Sequence, residues 1–146
     1  MKNWTRIIII VAVVAVMGYG LGRVTEPPPP PADVASMDLT ADFDAAMAAG
    51  RPAYILIHSA TCVSCVEMEA TANEVLPEYD GEVEFIDALN GVPGAEALAQ
   101  RFEANFIPTS VFVDANGEVA DFVVGPIEAP ELRAKLDALV ATQEEK

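Results

Sequence analysis

The chain has 146 residues, 23 acidic against eight basic, and a formal net charge of −15 at neutral pH. From Asp33 onward the imbalance is 22 acidic residues to five basic ones: Arg51, Arg101, Arg133, Lys135 and Lys146. A body this acidic is repelled by phosphate backbones and anionic lipid headgroups, which excludes nucleic acid as a partner and assigns most of the charge to a well-solvated surface.

Ile7 to Gly22 is an uninterrupted run of apolar and small residues, with Lys2 and Arg6 before it and Arg23 after. Its 16 residues fall just short of the roughly 17–25 of a spanning helix. Trp4 and Tyr19 suit interfacial anchoring. Gly18-Tyr19-Gly20 and Gly20-Leu21-Gly22 also offer small-x-small cleavage sites, so residues 1–25 read as a transmembrane anchor or a signal helix. Either reading places the remainder in the periplasm or at the cell exterior, because the positive residues before the run hold the N-terminus inside. Pro27 to Pro31 predict a polyproline II spacer of about 3.1 Å per residue. Residues 26–37 form the linker, and residues 38–146 form one domain long enough to bury a core.

The domain then alternates helix and strand. Thr40 is the expected cap of a helix over Ala41 to Ala49, with Gly50 as its stop. Pro52 to His58 is a buried strand by its aliphatic content. A helix from Cys62 to about Leu76 ends at Pro77. Glu82 to Ala88 is a strand, and Gly94 to Asn105 a helix with Ala95, Leu98, Ala99 and Phe102 on one face. Thr109 to Val113 and Val119 to Val124 form a hairpin, where Asn116-Gly117 supplies positive φ. Pro130 opens a last helix to about Ala141.

The chain's two cysteines, Cys62 and Cys65, lie where the aliphatic strand gives way to a helix. A cysteine there meets unpaired backbone N–H groups and the positive end of the helix dipole, which stabilise a thiolate. Such a thiolate attacks a disulfide, and the second cysteine resolves the mixed disulfide. Two other readings stand beside this one. A structural disulfide closing so short a loop is a poor staple. A metal site would draw on His58, Cys62, Cys65 and Met68, soft ligands suited to Cu(I). Glu67 and Glu69 close to Cys62 would raise its pKa against the dipole. Ser59 and Thr61 are candidate caps of the helix.

The order helix, strand, CxxC helix, strand, helix, hairpin, helix resembles the thioredoxin fold, an α/β arrangement with a central mixed sheet flanked by helices. Cys62-Val63-Ser64-Cys65 stands at the redox motif. Ile107-Pro108-Thr109 matches the family's Ile-Pro-Thr, whose proline is cis and lies beside the CxxC. Val111 to Val119 matches the hairpin that follows, and Gly125 the glycine after it. The resemblance implies a redox-active Cys62–Cys65 disulfide with no cofactor. It also implies a client groove at Ile107, Pro108 and Thr109, where the Ile107 backbone would pair with an extended segment. Cys-Val-Ser-Cys-Val-Glu-Met-Glu is similar to the C-terminal domain of membrane thiol–disulfide interchange reductases, which take electrons from a membrane partner and pass them to extracytoplasmic proteins.

The chain departs from cytoplasmic thioredoxin at three places. Thr61 replaces the tryptophan before the first cysteine, Val63-Ser64 replaces Gly-Pro, and Leu56 replaces the buried acid six residues before that cysteine. Without the acid, solvent, His58, Glu67 or Glu69 must take the proton of Cys65. The expected function is an extracytoplasmic protein-disulfide oxidoreductase, acting as a reductase on client proteins and tethered through residues 7–22 near a membrane electron donor. The alternatives are a copper or metal chaperone using His58, Cys62 and Cys65, and a redox-silent adaptor that binds proteins in the groove.

Overall fold

Six consecutive residues, Ala53–His58, form strand β1, and every one of them is buried. An unbroken aliphatic run has this fate when both faces of a strand are covered. The computed structural model describes residues 38–144; the apolar run 7–22 and the proline linker lie outside the described residues. In chain order the elements are α1 (Leu39–Ala48), β1, α2 (Val63–Val75), a 3-10 helix (Leu76–Tyr79), β2 (Glu84–Leu89), α3 (Ala95–Arg101), β3 (Thr109–Val113), β4 (Val119–Val124) and α4 (Ala129–Glu144). Among the described residues no helix is long and apolar enough to cross a membrane.

The strands form one mixed sheet in the order β2-β1-β3-β4. β1 runs parallel to β2 and antiparallel to β3, and β3 runs antiparallel to β4. Alternation along β1 divides the core in two. Tyr54 and Leu56 join Met68 and Ala72 of α2, Phe112, and Leu132, Leu136 and Leu139 of α4. Ala53, Ile55 and Ile57 join Leu39 and Phe43 of α1, Leu98 of α3, and Val111 and Val113. Tyr54 stacks between Phe85 and Phe112, with ring centroids at 5.5 and 5.0 Å.

Several element ends differ from the sequence-based expectation. Asp38, not Thr40, caps α1: its carboxylate accepts from the Thr40 N–H at 3.1 Å and the Thr40 hydroxyl at 2.6 Å. These bonds, the hydroxyl's first, hold the Asp38 carboxyl below its ordinary range. The α-helical part of the CxxC helix stops at Val75, and the chain carries Pro77 through a 3-10 helix; proline has no N–H to continue the ladder. The helix expected to reach Asn105 closes four residues earlier, at Arg101. In the hairpin only Gly117 takes positive φ, at 85°, while Asn116 donates its N–H to Asp114 at 2.8 Å.

Candidate functional site

Pairing registers bring three chain segments to one end of the sheet. His58 pairs with Leu89, Ile57 with Thr109, and Thr109 with Val124. The loop leading to Cys62, the loop after β2, and residues 106–108 therefore meet where β1 and β2 end and β3 begins. Ligand sites in open α/β sheets favour the carboxyl ends of parallel strands. The Ile107–Pro108 peptide is cis, and the Pro108 carbonyl accepts from the Gly125 N–H at 2.8 Å. The Thr109 hydroxyl is buried and donates to the Phe106 carbonyl at 2.7 Å, which ties the loop to its strand.

Cys62 is the N-cap of α2, in extended backbone geometry and without a side-chain cap bond. Ser59 and Thr61, the candidate caps, instead bond each other at 3.1 Å. Thr61 stands directly before the N-cap and Ser59 three residues before it, and their hydroxyls are engaged with each other rather than with the first turn. Cys62 is half-exposed and Cys65 fully buried, and both are free thiols. Hydrogen bonding from Cys65, then from Ser64, whose Oγ lies 3.3 Å from the Cys62 sulfur, lowers the Cys62 pKa. Burial, and next the neighbouring Cys62, raise that of Cys65. The first sulfur is thus the more accessible and the more acidic of the two, and the second the more buried and the less acidic. Glu67 and Glu69 are not among the groups that shift Cys62. Glu67 lies exposed on α2, its carbonyl accepting from the Thr71 hydroxyl at 3.2 Å.

His58 is 2% exposed, enclosed although it is the last residue of its strand. Its Nε2 hydrogen-bonds the Asp87 carboxylate. The metal set is not assembled: among the described residues no three His, Cys, Asp or Glu side chains group to hold an ion. Met68 is spent in the core, where its sulfur accepts from the Ile127 N–H at 3.2 Å. Facing directions explain this. Met68 belongs to the buried stripe Cys65, Met68, Ala72, Val75, and its side chain is part of the core packed between α2, the sheet and α4.

Two residues near the site were not singled out from the sequence. Ser64 sits between the cysteines, and its hydroxyl was the available signal. Asp87 was legible as an acid on the face that Phe85 buries against Tyr54. Around the sulfurs, Val63, Val66, Phe106 and Ile107 are exposed. A cavity of about 540 Å³ opens beside the last two, walled by Ile57, Ala95, Ala99 and Ala104.

A family model for the thioredoxin-like domain matches residues 39–139. Among solved structures, an uncharacterized thioredoxin-like protein from Clostridium perfringens is similar at 29% identity with a TM-score of 0.55, covering 62% of this chain and 71% of its own. No curated protein matches the sequence significantly. The described sheet and helices, with a cysteine pair at the start of α2 and a family match over most of the chain, lead to one conclusion: the chain belongs to the thioredoxin-like domain family.

Proposed function

We propose that the protein is an extracytoplasmic thiol–disulfide oxidoreductase that reduces disulfides in client proteins, tethered to the membrane through residues 7–22. The single observation that carries the dithiol chemistry is the asymmetry of the pair: Cys62 half-exposed with a lowered pKa, Cys65 buried with a raised one. Cys62 attacks a client sulfur, the client's other sulfur leaves as a thiolate, and Cys65 then displaces the client from Cys62. The two electrons come from the dithiol, which ends as the Cys62–Cys65 disulfide.

Exposed Val63, Val66, Phe106 and Ile107 support a client surface around the sulfurs. Apolar contact there, with strand-like pairing to Ile107, would accept many extended segments without a deep pocket. Reduction rather than oxidation rests on the likeness of Cys-Val-Ser-Cys to membrane interchange reductases. A tethered domain also meets a membrane electron donor at high effective concentration.

The test is the reduction potential of the purified full chain, equilibrated in glutathione buffers with thiol trapping. A value near or below about −240 mV supports a reductase, and one above about −180 mV turns the reading to an oxidant or isomerase. If no Cys62–Cys65 disulfide forms at any poise, the redox reading fails, and the groove alone, as in a redox-silent adaptor, would have to account for function.

A further inference from the structure

We propose that His58, held by Asp87, accepts the proton that Cys65 gives up when it resolves the mixed disulfide, a role that rests on the thiol–disulfide chemistry proposed above. Cys65 must become a thiolate to attack, yet it is fully buried. Leu56, at the position where the resembling family carries an acid, offers no acceptor.

Three observations point to His58. Its Nε2 is bonded to Asp87, and a carboxylate can only accept, so Nε2 carries the proton and Nδ1 presents a lone pair. That Nδ1 is buried and has no hydrogen-bond partner among the described residues. Native interiors rarely leave a buried acceptor unpaired without a bound water or a chemical role. The imidazole also stands at the end of β1 that reaches the right sulfur. The backbone N–H of Ser59, the next residue, hydrogen-bonds to Cys65. Cys65 lies on the α2 stripe whose Met68 and Ala72 share a core cluster with Leu56, and His58 follows Leu56 by two residues on the same face.

The pairing of Asp with His follows a familiar division of labour, in which the carboxylate fixes the tautomer and stabilises the imidazolium while the far nitrogen takes the proton. Here Asp87 is the positioning residue. Its side chain is 50% exposed on an edge strand while the ring is enclosed, so the relay leads from the buried thiol toward solvent. In the proposed step a bridging water or a small ring shift links Nδ1 to the Cys65 sulfur, since Nδ1 has no direct bond among the described residues. In the balanced step the Cys65 S–H bond breaks and the proton goes to Nδ1. The Cys65 sulfur bonds the Cys62 sulfur, and the client sulfur leaves with the electron pair. The imidazolium then returns its proton to that thiolate or to water. The titratable side chains near His58 include Asp87 of β2, Cys65 of α2, Tyr54 of the histidine's own strand, and Glu96 of α3, which lines the cavity that His58 also borders.

Rapid mixing of the reduced full chain with dithionitrobenzoate separates the two steps, because Cys62 attack releases one coloured thiolate and Cys65 resolution the second. In His58→Gln the second release should slow at least about tenfold at pH 6–7, while the first stays within about twofold. The gap should close by about pH 9, where hydroxide removes the thiol proton unaided. Asp87→Asn, at a side chain that is 50% exposed, should slow the second release in the same pH window by a smaller factor. It decides the matter if His58→Gln does not fold. An unchanged second release in Asp87→Asn, or equal slowing of both releases at all pH values, overturns the role. If the unmodified chain never gives a second release, the dithiol reading has failed and the relay falls with it.

Discussion

Leu56 and Asp87 are register partners across the parallel strands β1 and β2. On this face of the sheet the acid therefore stands on the half-exposed edge strand, while the inner strand carries an apolar residue at the paired position. At Leu56 the core is fully closed and apolar. At Asp87 the charge keeps water on one side and His58 on the other. The arrangement places a carboxylate near the cysteine end of the sheet without the cost of burying it.

Restoring an acid at the family's position should be harmful here. Leu56→Asp removes a buried side chain and sets two carboxylates face to face, for an expected loss of about 3–5 kcal/mol at pH 8. Burial and the like charge raise the folded-state pKa of the new acid above its unfolded value. Stability so gained is present below the unfolded pKa and lost as pH rises through the folded one. The deficit against the parent should thus shrink toward pH 4, and Asp87→Asn should recover part of it at pH 8. Urea midpoints at the two pH values check this; an equal deficit at both would show that charge is not the cause.

The Ser64 hydroxyl, 3.3 Å from the Cys62 sulfur, is the second largest influence lowering its pKa, after Cys65. Ser64→Ala removes a donor to the thiolate, so the Cys62 pKa should rise. Cys65→Ala should move it further in the same direction. The readout is the pH profile of iodoacetamide alkylation of the reduced chain. The order parent, Ser64→Ala, Cys65→Ala toward higher pH is expected, and coincident profiles for parent and Ser64→Ala would remove the hydroxyl from the account.

Much of this was legible in the chain because local and tertiary preferences agree. Tyr54 to Ile57 could only be a covered strand, and the stripe Leu132, Leu136, Leu139 could only face a core. The cysteine pair and Ile107-Pro108-Thr109 fall where the resemblance puts them, at one end of the sheet. What the chain concealed depends on partners distant in sequence. Asp38 and Thr40 are both able caps; Asp38 prevails where the helix start packs on Pro93 and Gly94, with the Leu39 N–H donating to the Pro93 carbonyl at 3.2 Å. His58 read as a strand-end residue because its partner, Asp87, is 29 residues away. The end of α3 was hidden because its left-handed residue is Glu103, not glycine.

Gly94 caps α3 with φ at 89°, and a Cβ there would sit 2.8 Å from the Asp38 carboxylate and 2.9 Å from the Leu39 and Thr40 nitrogens. Gly94→Ala should combine left-handed strain with damage to the α1 cap, for about 2–3 kcal/mol. Gly50→Ala is the control: its φ is 66°, but nothing lies within 4 Å, so only the strain of about 1–2 kcal/mol applies. Denaturant unfolding of both variants checks the difference, and equal losses would mean that the Asp38 contact is readily relieved.

Glu103 presents the opposite case. It takes φ of 53° just past the end of α3. Its N–H donates to Gln100 at 3.2 Å and that of Ala104 to Ala99 at 2.8 Å, the paired bonds of a Schellman closure. Glycine is the usual residue there, because a Cβ crowds the carbonyl in this conformation. Glu103→Gly should stabilise the fold by about 0.5–1 kcal/mol, the relief of strain exceeding the added freedom of the unfolded chain. The Asn105 side chain donates to the Glu103 carbonyl at 2.8 Å, a backbone contact that the substitution leaves intact. The measurement is the urea midpoint at constant m-value. A lower midpoint would mean that unfolded-state entropy outweighs the strain at this turn.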